Sequence, residues 1–124
     1  MNESRLEEET IVPQVGIYKP SGGALKNDKL DNKAPLHQLR PEHIEEMCRV
    51  FQWAEDNKYP KQENGDPNYM LGMDRYRLLG ATMRHVLAYT VGEELDPESG
   101  LSHLGHAMCN LAMIKSMKKA GTLG

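Results

Sequence analysis

The stretch from Arg84 to Asn110, RHVLAYTVGEELDPESGLSHLGHAMCN, constrains the fold most, because it reads as two helices that meet at a corner. Asp96-Pro97 marks the predicted corner, since Asp is a favoured N-cap and Pro suits the first helical position. The corner gathers four carboxylates, which are those of Glu93, Glu94, Asp96 and Glu98. Four polar residues then recur at intervals of four, three and four and should share one helix face: Ser99, His103, His106 and Asn110. Carboxylates beside stacked imidazoles predict a bound cation.

Hydrophobic periodicity predicts three helices, over Pro41–Asn57, Tyr69–Leu95 and Pro97–Ala120. The first helix opens with Pro41 and has acidic residues in its first turn, as the helix dipole favours. No segment alternates in the way that a strand requires. The chain is therefore predicted to be all-α, a small bundle of about three main helices with an irregular N-terminal arm. We expect residues 1–21 to form a flexible or extended arm and residues 22–124 to form one helical domain.

Composition narrows the class of protein. The net charge of −3 over 124 residues gives no reason to expect direct binding to nucleic acid. No apolar run approaches the roughly 18 residues that a membrane span needs. The two cysteines are far apart, which is typical of reduced thiols and a cytoplasmic location. Eight methionines, and apolar residues on more than one face of helices two and three, predict a homodimer or a larger homo-oligomer.

Acidic pairs at helical spacing suggest what the cation does. Glu93-x-x-Asp96 ends the second predicted helix, and a second pair, Glu42 and Glu45, opens the first. Carboxylate pairs of this kind can hold Mg²⁺ (or Mn²⁺), which clamps phosphate oxygens and activates water. The predicted metal ligands are Glu93, Asp96, Glu98, His103 and His106. The predicted catalytic residues are His85, Glu93 and His103, and the predicted phosphate-binding residues are Lys33, Lys58 and Arg84.

The same residues admit other interpretations. Asp96 and Glu98 can simply cap a helix, and Arg84 can pair with an acid across the bundle. A His/Asp metal phosphohydrolase would instead use His85, Asp96, His103 and His106 with Mn²⁺, Fe²⁺ or Co²⁺, and would release phosphate or triphosphate. A third hypothesis is a non-catalytic module that binds a nucleotide or a partner. Base-stacking candidates are Trp53, Tyr59, Tyr69 and Tyr76, which the sequence does not rank.

Several short motifs carry a family resemblance. They are Lys33 with Pro35-Leu36-His37, Pro41, Lys58-Tyr59, Arg84-His85, Gly92-Glu93, Asp96-Pro97-Glu98-Ser99-Gly100-Leu101, His103-Leu104 and His106-Ala107. With them the chain resembles a phage and prophage family, the N-terminal domain of dATP/dGTP diphosphohydrolase. It is also similar to MazG-like all-α pyrophosphohydrolases in having an E-x-x-E and an E-x-x-D pair. The resemblance implies a phage protein of the host cytoplasm that removes pyrophosphate from purine deoxynucleoside triphosphates.

Overall fold

The computed structural model describes residues 32–124. The predicted arm, residues 1–21, and its boundary at residue 22 lie outside the described residues. The chain divides into two compact units, residues 1–38 and residues 39–124. Within the first unit the described residues contain a single turn of 3-10 helix, Leu36–Gln38.

The second unit is built on three α-helices: α1 is Pro41–Asn57, α2 is Arg75–Thr90 and α3 is His103–Ala120. A short 3-10 turn, Asn68–Leu71, lies between α1 and α2. An isolated bridge joins Leu95 to Ser102, and the described residues contain no strand. The all-α prediction is confirmed.

Helix α1 has the predicted bounds. Pro41 occupies its first turn, where the missing N–H costs nothing, and Glu42 is the acid in that turn. The helix ends where the backbone N–H groups of Lys58 and Tyr59 both donate to the carbonyl oxygen of Ala54, at 2.9 and 2.7 Å.

Helix α2 is shorter at both ends than the predicted Tyr69–Leu95. At its start the Asp74 carboxylate accepts a hydrogen bond from the backbone N–H of Arg77 at 3.0 Å, which caps the helix at Arg75. At its end Gly92, which the sequence analysis placed inside the helix, has φ of 102°. The N–H of Glu93 then reaches back to the carbonyl oxygen of Ala88 at 3.0 Å. Gly92 therefore terminates α2, as glycine commonly does just beyond a helix.

Helix α3 begins at His103, and the predicted start at Pro97 is wrong. Ser102 is the N-cap, since its hydroxyl accepts from the N–H of Gly105 at 3.1 Å. Asp96 and Pro97 begin a separate tight turn. Gly100, at φ of 74°, ends this turn, so the turn does not continue as a helix. The predicted end holds, because Gly121 is left-handed and the N–H of Thr122 bonds to the carbonyl oxygen of Met117.

Helix α3 is the central element of the unit, because α1 and α2 each pack against it and hardly against each other. Its buried residues include Cys109 and Met117, which are almost fully enclosed. At Gly105, helix α3 approaches α1 so closely that an added Cβ would lie 2.9 Å from the Cγ atom of Glu46. A cavity lies in the space between α1 and α2, against α3.

Candidate metal and nucleotide site

The loop between α2 and α3, residues 91–102, carries the acidic corner. It is folded back on itself by the bridge between Leu95 and Ser102 and by a 2.7 Å bond from the N–H of Asp96 to the carbonyl oxygen of Leu101. The N–H of His103 also donates to the carbonyl oxygen of Glu94, at 2.9 Å. The loop therefore holds its acids against the first turn of α3.

Three side chains from three different segments converge there, and we call them the His85–Asp96–His103 cluster. Each offers one ligand atom, and these atoms all lie within 4.8 Å of one another. His85 comes from α2, Asp96 from the loop and His103 from α3. The Nδ1 atoms of His85 and His103 are 2.8 Å apart. Two imidazole nitrogens and one carboxylate oxygen at this spacing form a donor set that fits a first-row transition metal ion.

Glu93 contacts His103 at Nε2, the ring nitrogen that does not contact His85. Its Oε1 atom is 2.8 Å from the Nε2 atom of His103, and an ionised carboxylate can only accept a hydrogen bond. The proton of neutral His103 is therefore on Nε2, which leaves the lone pair of Nδ1 directed at His85. A histidine whose second nitrogen is held by a carboxylate is a common arrangement around protein-bound metals. The geometry favours a supporting role for Glu93 over the ligand role that the sequence analysis gave it.

His106 is held beside the cluster. Its ring stacks on that of His85, with centroids 4.6 Å apart and planes within 7°. Its Nε2 atom lies 2.7 Å from the hydroxyl of Ser99 and 3.6 Å from Oδ2 of Asp96. Ser99 in turn donates from its hydroxyl to Asp96 at 3.0 Å. The predicted shared face of Ser99 and His106 is thus a real contact, although Ser99 lies in the turn before α3.

Burial favours the neutral forms of His85 and His106 by lowering the pKa of each ring. It is the largest cause lowering the pKa of His85, and the adjacent His106 and His103 lower it further. Burial likewise lowers the pKa of His106, although Asp96 opposes the shift. For Asp96 itself burial disfavours ionisation, but the hydrogen bonds from Ser99, together with the nearby His106 and His85, outweigh it and lower the pKa of the carboxyl. Neutral imidazoles beside an ionised carboxylate are in the protonation state that a cation requires.

A cavity of about 570 Å³ opens beside these residues. His85, Asp96 and His106 line it, whereas His103 does not. Its apolar and aromatic lining comes from all three helices and from the segment after α1, and includes Val50, Phe51, Trp53, Tyr59, Tyr69 and Met73. Of the four aromatic residues that the sequence could not rank, Trp53, Tyr59 and Tyr69 line this cavity, whereas Tyr76 is exposed on α2.

The predicted phosphate-binding residues are distributed unequally. Lys58 lines the cavity, where its Nζ atom is 3.1 Å from Glu98 and 5.7 Å from the centre of the Trp53 ring. Arg84 is exposed on α2, next to His85, and its charge is one of the smaller influences that lower the pKa of His85. Lys33 is an exposed residue of the first unit. All three assignments remain predictions.

Two groups of predicted acids lie outside the cluster. Glu98 also lines the cavity, but its carboxylate is paired with Lys58. The second acidic pair is exposed on α1, where Glu42 faces Arg40 at 3.6 Å and Glu45 pairs with Arg49. Neither Glu42 nor Glu45 belongs to the His85–Asp96–His103 cluster.

Two residues matter more in the structure than in the sequence-based prediction. His85 is predicted as a catalytic residue and as a metal ligand only in the alternative hypothesis; 18 residues separate it from His103, and no spacing rule links the two. Ser99 was expected on the helix face without a role of its own. Its seven-residue spacing from His106 was the available signal.

Comparisons with known proteins complete the description of the site. The family described as dATP/dGTP diphosphohydrolase, N-terminal, matches residues 24–123. A dATP/dGTP diphosphohydrolase of Salmonella phage PMBT28 is 38% identical over 82 residues, which are 66% of this chain and 26% of that protein. The chain thus spans about a quarter of the length of this relative. No solved structure matches the chain significantly. Among the described residues, no helix is long and apolar enough to cross a membrane. Because the family match covers most of the sequence, including every residue of the cluster, the chain belongs to the dATP/dGTP diphosphohydrolase N-terminal family.

Proposed function

We propose that the chain binds a divalent metal ion and a purine deoxynucleoside triphosphate, and that it takes part in hydrolysing dATP or dGTP to the monophosphate and pyrophosphate. The family description and the name of the phage relative support this activity. Since the chain corresponds to only part of that relative, the activity of the whole relative comes to this chain as a proposal. A phage protein acting on the nucleotide pool of its host is the setting that these names suggest.

One observation carries the proposal: the same cavity is lined by two residues of the cluster, His85 and Asp96, and by several aromatic rings. At about 570 Å³ it lies within the range of roughly 300–1,000 Å³ that small-molecule sites occupy. A nucleotide matches both kinds of lining residue: its anionic phosphates suit a metal bound by the cluster, and its base stacks on aromatic side chains. We place the phosphates toward His85 and Asp96 and the base toward Tyr59 and Tyr69.

The donor set favours Mn²⁺ over the predicted Mg²⁺. Mg²⁺ prefers oxygen ligands in octahedral geometry, whereas His85, His103 and Asp96 offer two nitrogens and one carboxylate. A bound divalent ion would supply charge to phosphate oxygens and lower the pKa of a coordinated water. The exposed E-x-x-E pair on α1 takes no part in this site.

The chain's own residues have distinct tasks under this proposal. Glu93 fixes the Nε2–H tautomer of His103 and so keeps its Nδ1 atom available. Ser99 orients both Asp96 and His106 through one hydroxyl. Lys58 neutralises phosphate charge by exchanging its partner, the half-exposed Glu98, for the ligand. Arg84 and Lys33 remain candidates for the outer phosphates.

A second function is favoured by the composition of the cluster. His85, Asp96 and His103, with His106 stacked beside them, are the four residues that a His/Asp metal phosphohydrolase would use. Such an enzyme would release triphosphate and the nucleoside, or phosphate. The metal donors suit both reactions, so the products must decide between them.

The test is product analysis with the purified full chain. The chain is incubated with Mn²⁺, Mg²⁺ or Co²⁺ and each deoxynucleoside triphosphate, and the products are separated by ion-exchange chromatography. Deoxynucleoside monophosphate with pyrophosphate, formed from dATP or dGTP and lost in Asp96→Asn, is the expected result. Nucleoside with triphosphate would select the second function. Nucleotide binding without turnover would select the non-catalytic module, and the absence of both would overturn the proposal. Glu94→Gln is the matched control, since the carboxylate of Glu94 lies outside the cluster.

A further inference from the structure

Helix α2 has a second apolar face whose side chains are all exposed. It consists of Tyr76, Leu79, Met83, Val86 and Leu87, and it continues beyond the helix end to Val91; we call it the outer stripe. Tyr76 is 75% exposed, Met83 63% and Val91 82%. The first four members recur at intervals of three, four and three, which is the spacing that two helices use when they pack along a common seam.

The stripe borders the face that α2 uses inside the unit at Leu79 and Val86, but its centre, Met83, points elsewhere. Leu78 and Thr82 are buried, and His85 lines the cavity, so these three define the inner face. At about 100° per residue, Met83 lies roughly 100° around the helix from Thr82 and about 160° from His85. The sequence predicts an interface on both of the later helices. Helix α3, however, is covered by α1 on one side and α2 on the other, and the large apolar side chain it leaves exposed is Leu111.

We propose that the outer stripe is covered by a second copy of this chain, with the two α2 helices antiparallel about a two-fold axis near Met83. A contiguous apolar face of this length on a charged protein is typical of an interaction site. A two-fold interface uses the same face of both copies, and the stripe meets that condition because it extends to both sides of Met83. With the axis there, Tyr76 of one copy faces Val91 of the other.

Charge selects the antiparallel arrangement. Arg75 and Arg77 begin α2, and Glu93 and Glu94 follow its end. Antiparallel packing places the arginines of one copy opposite the glutamates of the other, whereas parallel packing would place like charges side by side. Arg75 flanks the stripe, about 80° around the helix from Met83, and lies opposite the end of the other copy's α2 when the axis is near Met83. Arg75 and Glu94 have no ion-pair partner among the described residues, although the Nε atom of Arg75 donates to the carbonyl oxygen of Gly124. Since His85 lies on another side of the helix, the dimer leaves both cavities open.

Sedimentation velocity on the full chain at micromolar concentration tests the proposal. The expected mass is twice the chain mass of 14.0 kDa. Met83→Lys, which adds like charges beside the axis, should raise the dimer Kd on the order of 100-fold, whereas Met83→Leu should leave it nearly unchanged. Leu111→Lys places the same charge at an exposed apolar residue outside the stripe and should leave the dimer intact.

A charge exchange tests the direction of packing. Arg75→Glu or Glu94→Arg alone should weaken the dimer about tenfold, and the two together should restore it. Circular dichroism checks that each variant keeps its helices, as exposed positions should allow. A monomeric wild-type chain would overturn the proposal, because some other segment would then cover the stripe or nothing would. A dimer that withstands Met83→Lys would overturn it as well.

Discussion

The relation between Glu93 and His103 gives a quantitative prediction for metal binding. If Glu93 only orients His103, Glu93→Gln should weaken Mn²⁺ binding moderately, because glutamine can still accept the 2.8 Å hydrogen bond from Nε2. What is lost is the charge assistance, since hydrogen bonds to charged groups contribute about 1.5–3 kcal/mol and neutral ones about 1 kcal/mol. The Glu93 side chain is 51% exposed, so water screens the lost charge. We therefore expect the low end of the range, about a tenfold rise in Kd.

Asp96 should behave differently. Its side chain is only 15% exposed and its oxygen belongs to the cluster, so Asp96→Asn removes a ligand charge in a poorly solvated place. We expect Kd for Mn²⁺ to rise at least about 100-fold. Asparagine can retain an oxygen acceptor for the N–H of Ser99, so the fold of the loop should survive, and a thermal melt without metal checks this.

Isothermal titration calorimetry with Mn²⁺ measures both constants, and the fluorescence of Trp53 provides an independent reading. Trp53 is the single tryptophan of the chain and lies edge-on to His106, with ring centroids 5.9 Å apart. Glu94→Gln is the control and should bind as the wild type does. The reasoning is refuted if Glu93→Gln abolishes binding as completely as Asp96→Asn, since Glu93 would then be a ligand, or if neither change affects binding.

Three further predictions concern the fold and its protonation. Burial raises the pKa of Cys109 to about 12, with Cys48 and Glu46 adding to the shift, so a thiol reagent at neutral pH should modify Cys48 in the native chain and both cysteines only after unfolding. The lowered pKa values of His85 and His106 mean that the folded chain binds fewer protons than the unfolded chain below their ordinary value of 6.5. The free energy of unfolding, measured with urea and without metal, should therefore fall as the pH is lowered from about 7 toward about 5, and a flat profile would contradict the burial of these rings. Met117 is 0% exposed, so Met117→Ala should lower the free energy of unfolding by about 2–5 kcal/mol, whereas Leu111→Ala should cost less than about 1 kcal/mol.

The sequence predicted best what local rules decide. The bounds of α1 followed from Pro41, the acids of its first turn and its apolar periodicity, all of which act within the segment itself. The end of α3 followed from Gly121. The start of α2 was missed because periodicity does not reveal the Asp74 cap. The end of α2 and the start of α3 were missed because glycines with positive φ, Gly92 and Gly100, closed turns that periodicity alone does not reveal.

The site was predicted as a region rather than as a geometry. Asp96, His103 and His106 were expected at a cation site, and the fold gathers their side chains beside His85. The pairing of Lys58 with Glu98 joins residues 40 positions apart and withdraws Glu98 from the cluster, which no spacing rule foresees. Likewise, the cavity exists because α1 and α2 both pack on α3 and leave space between them, a property of the tertiary arrangement.

Locating the metal tests the central claim most directly. Crystals of the full chain grown with Mn²⁺ and a non-hydrolysable dGTP analogue would show the ion by its anomalous scattering. The account predicts an anomalous peak bounded by His85, Asp96 and His103, with the phosphates of the analogue beside it in the cavity. A peak at the exposed carboxylates of Glu42 and Glu45, or an analogue bound outside the cavity, would contradict the account.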